Sequence, residues 1–178
     1  MDYFTSDLHI GHDKEFLWGK RGFSSIYEHD TAIIKRWNSI VTPADTVYIL
    51  GDLALGGNEK EWNRVLCNLN GWKKFICGNH DTEKKKVLYQ SLYDIDYLGF
   101  GYIYKYSKNK NFYLSHYPTI VGNFDDEKRF LWNLSGHTHN PNKFQYKEYK
   151  IYNVALDAHN CTPISIEQII KDIKEVSE

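Results

Sequence analysis

The sequence predicts an α/β protein of two packed β-sheets with helices on the outside. Three observations predict it. The first half of the 178-residue chain alternates short apolar, β-rich runs with stretches whose apolar residues recur at helical spacing. The second half is mostly strand-like. Each cluster of chemistry-bearing residues follows directly on one of the short apolar runs, which gathers the clusters at one sheet edge. This pattern suits two layers of sheet flanked by helices.

Taken in order, residues 3–6 read as a first strand ending at Asp7. Residues 13–23 mix basic, aromatic and glycine residues without a period and read as a loop with one helical turn; following Asp7-Leu8-His9, it belongs beside any site formed there. From Ser25 or Ile26 to Ile40, the recurrence of Ala32-Ile33, Ile34, Trp37 and Ile40-Val41 predicts a helix. Turn chemistry at 42–45 leads to a second strand, 46–50, which delivers Asp52. Asn58 is placed to cap a helix over 59–69, with Trp62, Val65-Leu66 and Leu69 as its inner stripe. Residues 73–77 form a third strand leading to Gly78, and 83–92 a further helix. Residues 97–106 and 111–114 flank a 107–110 turn and predict a hairpin. A short helix is expected over 125–130, then a strand over 130–135 into Gly136. Residues 144–146 and 151–154 predict a second hairpin about Glu148. Ser165 and Gln168 match a capping box for a last helix with Ile166, Ile169-Ile170, Ile173 and Val176 on its apolar face.

One domain, 1–178, is the economical reading of this length, which is enough to bury a sizeable core. Hydrophobic residues at 42% and charged residues at 25% are ordinary for a soluble globular chain. A net charge of −1 gives no global basic field to attract nucleic acid or an anionic membrane. The 14 Tyr and 5 Trp suit a core and its rim. Cys67, Cys77 and Cys161 are odd in number and without paired spacing, which argues against a disulfide framework; Cys77 reads as a buried small hydrophobe. The opening Met1-Asp2-Tyr3-Phe4 carries a charge and does not resemble a signal peptide. No apolar run approaches the roughly 18 residues of a membrane span. The expected compartment is the reducing cytoplasm.

The clusters are Asp7-Leu8-His9, Gly51-Asp52, Gly78-Asn79-His80-Asp81, Ser115-His116 and Gly136-His137-Thr138-His139. Each has a plain alternative. Asn79 and Asp52 are common turn residues, Asp81 could cap the following helix, and His137 with His139 could be a hairpin-end pair. Together, imidazole and carboxylate ligands suit divalent Mn, Fe, Zn or Ni. Five such clusters supply enough ligands for two ions, the arrangement that clamps an in-line displacement at phosphorus.

In this order the series D-x-H, G-D, G-N-H-D, H, G-H-x-H resembles the calcineurin-like metallophosphoesterase superfamily, and the motifs span Asp7 to His139. The opening Ser6-Asp7-Leu8-His9-Ile10-Gly11-His12 further resembles small, uncapped bacterial and phage members. The resemblance implies a four-layer α/β/β/α sandwich of two mixed sheets with the metals at the strand ends. It implies Asp7, His9 and His139 on a first metal, Asn79, His116 and His137 on a second, and Asp52 bridging both. It makes His80 the general acid facing the substrate, with Asp81 orienting or charging its imidazole, and a water activated by both metals the nucleophile. His12 and Trp18 are candidate substrate contacts, with Phe16 as an alternative to Trp18 for stacking. His29 falls in the first long helix and is expected to face solvent; His159 is expected no nearer than the rim.

The leading functional expectation is a metal-dependent hydrolase of a phosphate ester, such as a nucleotide phosphodiester. Gly51-Asp52 is followed by Leu53-Ala54-Leu55, and Gly78 is preceded by Cys77; both depart from the protein phosphatase signatures. Two alternatives stand beside it. One is a catalytically weak interaction scaffold on the same fold, against which His80 and the full ligand set argue. The other is a nuclease, which needs a basic groove that Lys14, Lys20 and Arg21 with Lys84-Lys85-Lys86 could supply; a lysine run is more often a solvated helix face. The partner expected is a small phosphate ester, with no membrane and nucleic acid not favoured.

Overall fold

The computed structural model describes residues 1–122 and 130–177. The first sheet is built from β1 (Asp2–Thr5), β2 (Thr46–Leu50), β3 (Trp72–Ile76), β4 (Ile95–Tyr97) and β9 (Ile164–Ser165), in the order β4-β3-β2-β1-β9. Its first four strands in that order are parallel, and β9 is antiparallel to β1. The second sheet has the order β5-β6-β7-β8, from β5 (Gly101–Ser107), β6 (Lys110–Ser115), β7 (Phe130–Ser135) and β8 (Ile151–Asn153). Here β5 and β6 form the expected hairpin, while β6, β7 and β8 run parallel. The helices are α1 (Glu15–Trp18), α2 (Ile26–Asn38), α3 (Glu59–Leu66), α4 (Glu83–Ser91) and α5 (Ile166–Ser177). Two mixed sheets flanked by helices is the predicted class.

The strand pattern shows why the sheets pack this way. In β2, Tyr48 and Leu50 face the second sheet, joining Phe4, Ile76, Phe112, Leu114, Trp132, Leu134 and Tyr152 in one core. Val47 and Ile49 face the other way, with Phe75, against Ile33, Trp37, Val65, Leu66 and Tyr89 of the helices. Successive strand residues point to opposite faces, and a sheet buried on both faces reads as an unbroken apolar run. Ile166, Ile169, Ile170 and Ile173 lay α5 on the inter-sheet core. Asn58 caps α3 through a complete capping box with Glu61, and Ser165 Oγ accepts from the Gln168 N–H at 3.2 Å.

Several elements differ from expectation. Tyr97, expected to begin the hairpin, ends β4 (Ile95–Tyr97) of the first sheet, because Gly99 at φ 89° breaks the run before Gly101. The second hairpin reduces to one antiparallel bridge, Tyr146 to Ile151, around a 3-10 turn Lys147–Tyr149; Ile151–Asn153 pairs instead with β7. A left-handed Lys150 at φ 56° makes that turn. The helix expected over 125–130 lies outside the described residues save for Phe130, which opens β7. His29 is fully buried, not solvent-facing: its Nδ1 lies 2.9 Å from Asp30 Oδ1 and its Nε2 2.9 Å from Arg21 Nη1, so burial leaves neither nitrogen unpaired. Lys85 and Lys86 are buried as well, so only Lys84 of the run is exposed to solvent. The three cysteines are free. No described helix is long and apolar enough to cross a membrane.

Candidate metal centre

The ends of β1, β2, β3, β6 and β7 converge where the two sheets meet, and backbone bonds stitch them together. Asp7 N–H donates to Gly51 O at 3.0 Å, His9 N–H to Asp52 O at 3.0 Å, and Gly136 N–H to His116 O at 3.0 Å. Close approach demands glycine here. A Cβ on Gly136 would overlap Ser6 Oγ and the Asp7 carboxylate, and one on Gly51, at φ 93°, would meet the His116 ring. Asp7, His9, Asp52, His137 and His139 hold φ of 57°, 51°, 55°, 70° and 49°, a left-handed region that residues with a Cβ enter at a cost. Such strain persists where surrounding structure over-determines it, and it clusters at functional sites.

The seven residues expected as ligands come together about Asp7 and Asp52: Asp7, His9 and His139 form one close group, and Asp7, Asp52 and His116 another. Asp7 Oδ2 accepts from Ser6 Oγ at 2.5 Å and from His137 N–H at 2.9 Å, which leaves Oδ1 facing inward. That Oδ1 is 3.8 Å from His9 Nε2 and 3.7 Å from His139 Nε2. Asp52 Oδ2 is 3.6 Å from His9 Nε2 and 3.4 Å from His116 Nε2. On the second side, Asn79 Oδ1 lies 2.9 Å from His116 Nε2 and 3.0 Å from His137 Nδ1.

These atoms fit cations and little else. His116 Nδ1 is 2.8 Å from Leu50 O, so Nδ1 carries the proton and Nε2 presents its lone pair to Asn79 Oδ1 and Asp52 Oδ2. His139 Nδ1 is 3.0 Å from Asp157 Oδ2, which likewise turns the Nε2 lone pair toward Asp7. Asp7 Oδ1 and both ring nitrogens of His9 are buried without a hydrogen-bond partner among the described residues. Buried polar atoms left without partners are costly, and divalent ions on this nitrogen and oxygen set would remove the cost. Burial pushes the His9 imidazole pKa down, which keeps it neutral and able to ligate. At His139 burial acts the same way, but the Asp157 hydrogen bond and the Asp7 charge outweigh it and the pKa rises.

Around the ligands the expectations divide. The His80 backbone N–H donates to Asp52 Oδ1 at 2.9 Å, and its carbonyl accepts from Lys85 Nζ at 2.8 Å. Its imidazole is left 41% exposed, 4.0 Å from Asp52 Oδ2. Asp81 does not orient that ring. Its Oδ2 accepts from Asp52 N–H at 2.7 Å and Gly78 N–H at 2.8 Å, and its Oδ1 from Leu53 N–H at 3.3 Å. The buried carboxylate is drawn to three backbone donors and fixes the turns that carry Asp52 and Asn79. A cavity of about 820 Å³ opens from the cluster, with His9, His12, His80 and His139 on its wall. His12 lies edge-on to Phe16, which also lines the cavity, and burial with the neighbouring His9 and His80 pushes its pKa down to about 4. Trp18 is absent from the lining: its indole N–H donates to Asp13 Oδ1 at 3.2 Å, and Phe16 takes the position expected of it. Sequence reasoning gave Ser6 and Asp157 no part in the site and considered Arg21 only for a basic groove. Asp157 carried a signal, since it follows the 151–154 apolar run as the other clusters follow theirs.

A two-sheet sandwich that brings Asp, His and Asn side chains able to hold divalent cations to one edge has the form of a metal-dependent hydrolase. The chain belongs to the calcineurin-like phosphoesterase family, whose model matches residues 3–166. It is 32% identical to the uncharacterized protein MJ1445 of Methanocaldococcus jannaschii, over 97% of this chain and 91% of that one. It is 31% identical to the Gene 66 protein of Mycobacterium phage D29 over 97% of each chain. Among solved structures, the protein of unknown function AQ665 from Aquifex aeolicus superposes with a TM-score of 0.72 at 28% identity, covering 96% of this chain and 98% of that one. Membership makes the protein a metal-dependent phosphoesterase.

Proposed function

We propose that the protein hydrolyses a small phosphodiester, with a nucleotide as the model substrate, and that His80 is its general acid. The observation that carries this reading is the composition of the cavity. It opens on the metal-ligand cluster at one end, and Phe16, Leu17, Leu55, Pro141 and Leu156 line it with apolar and aromatic surface suited to an organic ester group. Its cations are Lys20 and Arg21, and Arg21 is already paired with Asp157 at 2.7 Å. A singly charged diester asks less of such a wall than a doubly charged monoester. Arg21, Lys85 and Lys86 are likewise unavailable for a nucleic-acid groove, being paired with Asp157, the Ala54 and His80 carbonyls, and Glu83.

Asp7, His9, Asp52 and His139 would hold one divalent ion, and Asp52, Asn79, His116 and His137 the other. Two ions in such a site neutralise phosphate charge and acidify a water. The chain's own residues do the rest. His80, fixed through its backbone and free at its ring, donates a proton to the leaving oxygen from the open side of the cluster. His12 orients a phosphate oxygen, and Phe16 stacks on the departing group.

The test is hydrolysis of an aryl phosphodiester and the matching monoester by metal-stripped protein reloaded with Mn, Ni or Zn, beside Asp52→Asn and His80→Ala. Metal-dependent turnover that favours the diester, lost in Asp52→Asn and reduced about 10²–10⁴-fold in His80→Ala, is expected. A preference for the monoester, or no turnover with both ions bound, overturns the reading.

A further inference from the structure

The loop before α2 sends one side chain beneath the metal-ligand cluster. The Arg21 side chain is 2% exposed, and all three of its nitrogens are committed. Nε and Nη2 form a fork on Asp157, at 3.1 Å to Oδ1 and 2.7 Å to Oδ2. Nη2 also donates to Asp7 O at 2.8 Å, and Nη1 to Leu8 O at 3.4 Å. Nη1 further donates to His29 Nε2 at 2.9 Å. Behind it, His29 Nδ1–H donates to Asp30 Oδ1 at 2.9 Å, and Asp30 Oδ2 accepts from Gly11 N–H at 3.1 Å. The network leads from the backbone of the first motif to the His139 ring through Asp157.

We propose that Arg21 is a positioning residue for the first of the two metal-ligand sets. Through the Asp7 and Leu8 carbonyls it holds the left-handed Asp7-Leu8-His9 turn, and through Asp157 it holds the His139 ring with Nε2 turned inward. The inference rests on the two-cation reading above. Three features support it over a plain buried ion pair. The same guanidinium reaches both arms of one ligand set, residues 7–9 and His139. None of the guanidinium's own hydrogen bonds goes to Asn79, His116 or His137, the other set. And the contacts use the geometry of a planar fork, which an ammonium cannot reproduce. His29 completes the arrangement because it must stay neutral to accept from Arg21, and its burial, with the guanidinium beside it, pushes its pKa down.

The test uses the full chain with Arg21→Met, Arg21→Lys and Asp157→Asn, and Mn(II) alone as the probe. Calorimetric titration and metal analysis count the ions and their affinities, and paramagnetic resonance separates coupled from isolated Mn(II). Expected is a loss of about 10–100-fold in affinity at one of two sites, the size typical of groups that orient a metal ligand. The second site is unchanged, and isolated Mn(II) replaces the coupled pair at limiting metal. In metal-free protein at alkaline pH, ¹⁵N spectra of the imidazoles should show His139 protonated at Nδ1 in the wild type and shifted toward the other tautomer in the variants. Wild-type affinities at both sites with an unchanged tautomer overturn the proposal, as does equal weakening of both sites. Should Arg21→Met fail to fold, Arg21→Lys and Asp157→Asn decide. If the wild type binds fewer than two ions, the two-cation reading fails, while the tautomer spectra still judge the network.

Discussion

His116 Nδ1 lies 2.8 Å from the carbonyl oxygen of Leu50, which joins the end of β2 in one sheet to the end of β6 in the other. The bond fixes the imidazole tautomer across the sandwich and leaves Nε2 as an acceptor among acceptors. The folded, metal-free protein therefore carries repulsion that bound cations relieve. Stripping metal with a chelator should lower the thermal midpoint, and Mn(II) should restore it. At free metal about 100 times the dissociation constant, each site adds roughly 2.7 kcal/mol, worth several degrees in a chain of this size. Differential scanning calorimetry with and without chelator checks this, and identical midpoints would count against a metal centre.

Gly136 gives a sharper steric prediction. A Cβ there would overlap Ser6 Oγ and the Asp7 carboxylate, which are bonded to each other at 2.5 Å. Gly136→Ala should destabilise by roughly 1–3 kcal/mol, as overpacking does, and displace Asp7 from its ligand set. Urea unfolding and metal stoichiometry measure the two effects. A variant with unchanged stability and metal content would show that the β7 turn can shift at no cost.

The parts legible in the sequence were those set by local pattern. The short apolar, β-rich runs at 46–50 and 130–135 and the Asn58 cap need no distant partner to be recognised, and the structure has each of them. The candidate ligand motifs could be picked out as a group because each sits at the end of such a run, and the structure brings them to one edge. What failed depended on contacts distant in sequence. His29 looked solvent-facing because its partner Arg21 and the more remote Asp157 belong to other segments. Asp81 lies beside His80 in sequence, yet its carboxylate turns to backbone donors at the end of β2, 28 and 29 residues away. Tyr97 looked like the start of a hairpin because nothing local distinguishes an edge strand of one sheet from the first strand of the next.

Asp81 therefore acts on stability and on metal binding together. Its two oxygens serve three backbone N–H groups, and asparagine offers only one acceptor oxygen. Asp81→Asn leaves at least one donor unpaired, at a cost of roughly 1–3 kcal/mol. Because the donors belong to Asp52, Leu53 and Gly78, metal affinity should fall as well. A variant losing turnover with wild-type stability and metal affinity would instead mean that Asp81 acts on His80 directly. Denaturant midpoints and calorimetric metal titration separate the two.

His159 makes a pH prediction away from the metal ligands. Its ring stacks against Tyr152, with centroids 5.8 Å apart, and its Nε2 lies 2.8 Å from Asn153 O. Burial, opposed by that hydrogen bond, pushes its pKa from 6.5 down to about 4. Between these values the unfolded chain binds a proton that the folded chain does not, so stability rises with pH across the window. The contribution is complete above 6.5 and falls as the pH drops toward 4, by about 3 kcal/mol in all. Other buried histidines add to the total slope, so the comparison must be with His159→Gln, whose amide can still donate to Asn153 O but does not titrate. The wild type should lose more stability than His159→Gln on acidification through this window, measured by urea unfolding at fixed ionic strength. Parallel losses in the two proteins would mean that His159 protonates in place, and that the pocket between Tyr152 and Asn153 tolerates the charge.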